Sequence, residues 1–116
     1  VGSEKNLLAL QIRTLCEHLG GQYTESGTYP AWEYKQESKL RDVMVAVYEE
    51  LYGGKPKLDV IHAGVECGLF MDKMKDLDCV SYGPQMYDIH TPNERLHVDS
   101  VQRTWEYTLE ILKRLK

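Results

Sequence analysis

With 116 residues and a formal net charge of -4, the chain can bury one modest core and lacks the basic footprint of a nucleic-acid binder. No apolar run approaches the roughly 18 residues that a membrane span needs, and no charged-then-apolar leader precedes a small-residue cleavage site. Cys16, Cys67 and Cys79 are odd in number and lack CxxC spacing, so reduced thiols in a cytoplasmic protein are expected.

Val1-Gly2-Ser3 is compatible with a cloning remnant. Ser3 can cap a first helix from about Glu4 to His18, where Leu8, Ile12, Leu15 and Leu19 form one apolar stripe. Gly20-Gly21 ends it through a left-handed turn. Gln22 to Ser26 reads as a short strand. Gly27 to Trp32 is a crossing segment, because Pro30 pushes Tyr29 toward extended geometry and no helical period survives there. It is the expected domain boundary.

A second helix is expected from about Ser38 to Tyr52, with Leu40, Val43, Met44, Val47 and Leu51 on one face and Gly53-Gly54 after it. Leu58 to His62 reads as a strand buried on both faces, given its consecutive Val60-Ile61. Glu66 to Lys73 reads as a short helix, and Cys79 to Tyr82 as a strand stopped by Gly83-Pro84. In the final helix Asp99 is the expected cap and Gln102 takes the capping-box position. Val101, Trp105, Thr108, Leu112 and Leu115 share its face. The order is helix, strand, helix, strand, short helix, strand, helix, an α/β pattern without internal repeats.

His90 is the foremost candidate for chemistry. Thr91-Pro92 stiffens the backbone beyond it, and a metal ligand benefits from a fixed approach because ordering a wandering imidazole costs entropy. Read bare, a lone His in a polar loop is an ordinary surface residue. Glu66 comes second, beyond Ala63-Gly64, where the main chain is uncluttered at a strand end and open α/β sheets place ligands. It either lines a pocket or opens a helix whose dipole favours a carboxylate. His62 and Cys67 do not by themselves form a thiol nucleophile and base, since no third residue positions the imidazole. Cys67, Cys79 and Cys16 read as core. His18 suits a helix C-terminus and His97 reads as solvent-facing. Glu94 and Arg95 either orient the His90 loop or are ordinary surface charges.

Ile61-His62-Ala63-Gly64-Val65-Glu66-Cys67-Gly68, Ser81-Tyr82-Gly83-Pro84 and Ile89-His90-Thr91-Pro92-Asn93-Glu94-Arg95 together resemble the closing signature of a di-metal peptidase family. That family holds the aminoacyl-histidine dipeptidases and carnosinase-type enzymes. The resemblance runs from about Asn6 to Leu115 and is densest from Tyr29 onward. Members are several times longer, so it implies a C-terminal piece: residues 1–28 ending a lid domain and residues 29–116 closing the catalytic domain.

It implies an Xaa-His dipeptidase as the parent, with two zinc ions per active site, Mn2+ or Co2+ being alternatives. His90 would be the last metal ligand; His62, Gly64 and Glu66 would border the substrate. No catalytic residue lies in this chain, because the glutamate base and the other ligands come from the N-terminal half. That half and the dipeptide are the implied partners; nucleic acid and membrane are not, and a homo-oligomer stays open. The sister activities are a tripeptidase and an acyl-amino-acid hydrolase. A different class is a non-catalytic module that docks a partner through exposed helix faces.

Overall fold

A computed structural model describes residues 2–61 and 66–116. The elements in chain order are α1 (Gly2–His18), α2 (Lys39–Tyr52), α3 (Glu66–Lys73), β1 (Met86–Tyr87), β2 (Arg95–Leu96) and α4 (Val98–Arg114). They fall into two compact units, Val1–Gln36 with Val60–Leu77 and Glu37–Asp59 with Asp78–Lys116. No described helix is long and apolar enough to cross a membrane.

The second unit is built on α2 and α4. Val47 is fully buried between them, joined by Met44, Tyr107 and Ile111, with Leu40, Val43, Tyr48 and Val80 packed around the edge. The Tyr107 hydroxyl donates to the Met44 carbonyl at 2.7 Å, giving the buried phenol a partner that repays its desolvation. Tyr48 and Tyr82 meet the Tyr107 ring edge-on, with centroids at 5.9 and 5.6 Å. At the helix ends, both Arg114 guanidinium Nη atoms donate to the Glu50 carboxylate, one of them at 2.7 Å. This bond holds the Glu50 carboxyl below its ordinary range.

Local chemistry sets the ends of α2. The buried Ser38 accepts from the Arg41 amide at 3.0 Å and donates to Asp78 at 2.7 Å, while Asp78 also accepts from the Leu40 amide at 3.0 Å. Two side-chain oxygens thus satisfy two amides that the first helical turn leaves without partners. At the other end Gly53 takes φ 72° and its amide bonds the Glu49 carbonyl, the expected left-handed stop.

The first unit has a thinner framework. α1 buries none of its residues, and Leu8, Ile12, Leu15 and Leu19, the expected stripe, are all more than half exposed. The Gly2 amide donates to Glu33 at 2.9 Å and the Lys5 ammonium donates to the Tyr29 carbonyl. On α3, Gly68 lies where an added Cβ would come within 3.1 Å of the Pro30 carbonyl oxygen, so glycine permits the close approach.

Several expectations are corrected. Among the described residues neither 22–26, 58–61 nor 79–82 joins a sheet, and the ladder that forms is a two-stranded hairpin, with Met86 opposite Leu96 and Tyr87 opposite Arg95. A strand is defined by its neighbour. Val60 and Ile61 are 72% and 62% exposed, so the run that reads as doubly buried has no cover here. Ser3 lies inside α1 rather than capping it. Asp99 lies inside the first turn of α4, since His97 is the N-cap and makes no side-chain cap bond. Gln102 bonds Glu106 instead, at 2.8 Å.

The buried face of α4 is also different: Ser100, Tyr107 and Ile111 turn inward, while Val101, Trp105, Leu112 and Leu115 are exposed. At about 100° per residue the two arcs lie roughly a quarter turn apart. The cysteines are partly rather than fully buried, and no disulfide joins them.

Burial, and then the neighbouring tyrosines, push the Tyr107 phenol up to about 12. The native state therefore keeps this proton after the unfolded chain, with its ordinary value of 10.0, has lost it. The associated stability is complete below pH 10 and disappears as pH rises toward about 12. Tyr107→Phe should cost about 1 kcal/mol at neutral pH through the lost hydrogen bond and should shallow the alkaline decline. Urea unfolding at stepped pH checks both effects.

Candidate functional site

His90 lies in the loop joining β1 to β2, and two consecutive turns shape that loop. In the first, the Thr91 amide donates to the Asp88 carbonyl at 3.2 Å; in the second, the Glu94 amide donates to the Thr91 carbonyl at 3.1 Å. Pro92 is the second residue of the latter turn, where its fixed φ fits. His90 is the third residue of the former and takes φ 64°; Asp88, at its head, takes φ 51°. These are the two non-glycine residues with positive φ among those described. Aspartate and histidine enter that region more often than most residues, yet a side chain there still carries a penalty of roughly 1–2 kcal/mol.

Side chains hold the loop in this shape. The Thr91 hydroxyl donates to the Asp88 carbonyl at 2.7 Å and accepts from the Asn93 amide at 3.2 Å. Arg95 donates to the Asp88 carboxylate at 2.7 Å and lies over the Tyr87 ring, 5.5 Å from its centroid. A Glu94 carboxylate oxygen accepts from the His90 amide at 2.9 Å. The His90 residue is exposed, and its imidazole bonds none of the described residues.

The hairpin is tied to α4 in turn. His97 donates its amide to the Gln85 carbonyl at 2.9 Å, and the Gln85 amide donates to the Ser100 hydroxyl at 2.8 Å. That buried hydroxyl donates onward to the His97 carbonyl at 2.6 Å. His97, expected to face solvent, is half-buried, and its Nδ1 is buried without a hydrogen-bond partner among the described residues.

Glu66 opens α3 in the first unit and is exposed, the position in which a carboxylate meets the positive end of a helix dipole. His62 and Gly64, the other expected substrate contacts, lie outside the described residues. Among the described residues no group of three or more His, Cys, Asp or Glu could hold a metal ion. The described residues therefore do not by themselves make a complete metal centre. Asp88 was missed in the sequence reading; the signal was an Asp at the head of a turn, a residue type that tolerates left-handed backbone.

Residues 19–114 match the family described as Peptidase family M20/M25/M40. The chain belongs to that family. It is similar to the cytosol non-specific dipeptidase of Escherichia coli (strain K12), 31% identical over 115 residues, which is 99% of this chain and 24% of that protein. It is also similar to the crystal structure of aminoacylhistidine dipeptidase from Vibrio alginolyticus, with a TM-score of 0.80 and 34% identity. That match covers 98% of this chain and 23% of the other. The chain thus spans about a quarter of the length of these relatives.

In this M20/M25/M40 segment the strained position and the expected metal ligand are one residue, and the strain can be measured. His90→Gly should be more stable than His90→Ala by about 1 kcal/mol, because the left-handed penalty on a Cβ exceeds the extra chain entropy that glycine loses. Thermal unfolding of both variants checks this; equal melting temperatures would show that the turn stores no strain.

Proposed function

We propose that this chain is the C-terminal segment of a cytoplasmic, metal-dependent dipeptidase that hydrolyses Xaa-His dipeptides. Residues 1–28 end its lid domain and residues 29–116 close its catalytic domain. The observation that carries the reading is the braced hairpin presenting His90 with an imidazole that bonds none of the described residues, within a chain similar to two dipeptidases over nearly its whole length. His90 binds through a neutral ring nitrogen. The divalent metals of such a site, zinc in the first instance with manganese or cobalt as alternatives, supply a Lewis acid and an activated water.

His90 holds an imidazole at a fixed place, and its backbone needs no reordering on binding. Glu66, with His62 and Gly64, borders the substrate, where a carboxylate meets a ligand's ammonium group. The N-terminal half of the catalytic domain supplies the remaining ligands and the base, and it is the main partner. Support for that partner comes from apolar side chains left exposed, Val101, Trp105 and Leu112 on α4 and Val60-Ile61.

The similar protein from Escherichia coli is named a non-specific dipeptidase, which favours a second reading with broader dipeptide preference. A panel of dipeptides with and without C-terminal histidine, given to the longer enzyme, separates the two. Selective turnover of the histidine set supports the first reading, and uniform turnover supports the second.

The 116-residue chain by itself should show no turnover with added zinc or manganese, and metal-dependent hydrolysis above buffer would overturn the segment reading. In the longer protein, His90→Ala should lose or markedly weaken one metal while the fold persists. Metal analysis beside circular dichroism checks this.

Glu66→Gln should leave metal content unchanged and lower kcat/KM by an amount that reports its surroundings. A closed pocket predicts about 2 kcal/mol or more, and a hydrated rim about 1 kcal/mol. Unchanged kinetics with a slightly lower melting temperature would assign Glu66 to the helix dipole alone.

A further inference from the structure

We infer that Glu94 is a positioning residue whose carboxylate acts as a backbone anchor for His90, setting the approach of its imidazole without touching metal or substrate. Toward a metal, this rests on the reading of His90 as a ligand; as a statement about the hairpin it stands independently.

The argument begins with the amide. At φ 64° the His90 N–H closes neither turn, since those turns are closed by the amides of Thr91 and Glu94. Glu94 lies four residues on, and its carboxylate folds back to accept this N–H at 2.9 Å. Glu94 is also the last residue of the second turn, so one residue closes that turn with its amide and fastens the first with its side chain.

The other loop side chains do not duplicate this role. Thr91 and Arg95 both act on Asp88, by its carbonyl and its carboxylate, and so hold the opposite end of the first turn. Without the Glu94 bond, the His90 peptide could leave the left-handed region and relieve its penalty. The side chain would then leave a different point on the loop.

The alternatives for Glu94 are a direct metal ligand or a proton-transfer group, and both require an ionised carboxylate. An anchor requires an acceptor oxygen at the right reach. Glutamine keeps that oxygen and the chain length, whereas aspartate keeps the charge and loses one methylene of reach.

Amide hydrogen exchange of His90, followed by NMR in the 116-residue chain, should therefore slow or quicken with reach and not with charge. Glu94→Ala and Glu94→Asp should raise His90 exchange by about tenfold, while Glu94→Gln stays close to the parent rate. The amides of α2 and α4 serve as the internal control, since a general loss of stability would quicken them too. Uniform quickening, with no effect particular to His90, would overturn the anchor, as would unchanged His90 exchange in the alanine variant.

The second arm measures zinc affinity of the longer protein by chelator competition. It should weaken in the Ala and Asp variants and recover in the Gln variant. A glutamine variant as weak as alanine in zinc binding would overturn the uncharged role and make the carboxylate a ligand or charge partner. Zinc affinity unaffected by His90→Ala would instead remove His90 from the metal site and leave the exchange result standing.

Discussion

The bond from the Tyr107 hydroxyl to the Met44 carbonyl is the constraint on which the second unit depends. A buried phenol is acceptable only if its polar end is satisfied, and here the acceptor belongs to the backbone of the opposing helix. That choice fixes more than a distance. It sets the rotation of α4 against α2, brings Ile111 onto Val47 within the same core, and places the Tyr107 ring where Tyr48 and Tyr82 close on its edges. Arg114 and Glu50 fasten the far ends of the same two helices, but that pair is solvent-exposed and screened, so it steers the alignment more than it stabilises it. The hairpin follows from α4, because Ser100 on its first turn ties Gln85 and His97 together directly before β1 and after β2. The path from the core to His90 is short and consists of hydrogen bonds.

The two ends of this path differ in how they achieve order. Around Tyr107 order comes from apolar burial, with a single polar bond correcting the cost of desolvation. Around His90 there is almost no burial, and order comes from saturating the polar groups of a tight loop. Thr91, Asp88, Glu94 and Arg95 each answer a backbone or charged group within seven residues in sequence. Such bonds contribute little to global stability individually, yet they remove alternative backbone states, which is what a ligand-bearing loop requires. A residue held in the left-handed region by its surroundings is a known mark of sites where geometry matters more than stability.

The helices were legible in the sequence because their signals are local. The apolar period through Met44 and Val47 and the stop at Gly53 act in α2 as the sequence suggests, and the Ser38 cap also acts within one turn. The strands were not legible in the same way. Val60-Ile61 and Cys79 to Tyr82 have strand composition, but composition cannot supply the neighbouring segment that makes a ladder. β1 and β2 escaped notice for the opposite reason: two residues each are too few to show a period. On α4 the sequence shows an apolar arc through Val101 and Trp105, yet the arc used against α2 runs through Tyr107 and Ile111. Hydropathy does not reveal which of two apolar arcs meets a given partner. At the site, the stiff His90 loop could be read from Pro92, and Glu94 could be suspected of holding it. That its oxygen reaches the His90 amide depends on φ 64°, which no spacing encodes.

The second arc of α4 bears on the proposed function. A helix at the surface of a complete domain ordinarily buries most of its apolar stripe and leaves its polar face to solvent. α4 places Tyr107 and Ile111 against α2 and still carries Trp105 at 58% and Leu112 at 55% exposure. The same holds for Val60-Ile61, apolar enough for both faces of a parallel sheet yet covered on neither. In a chain that spans about a quarter of its relatives, these two surfaces fit one explanation. On the proposed reading, the missing cover is the remainder of the catalytic domain. The His90 hairpin is held differently, by polar bonds within its loop and by the tie through Ser100 to α4.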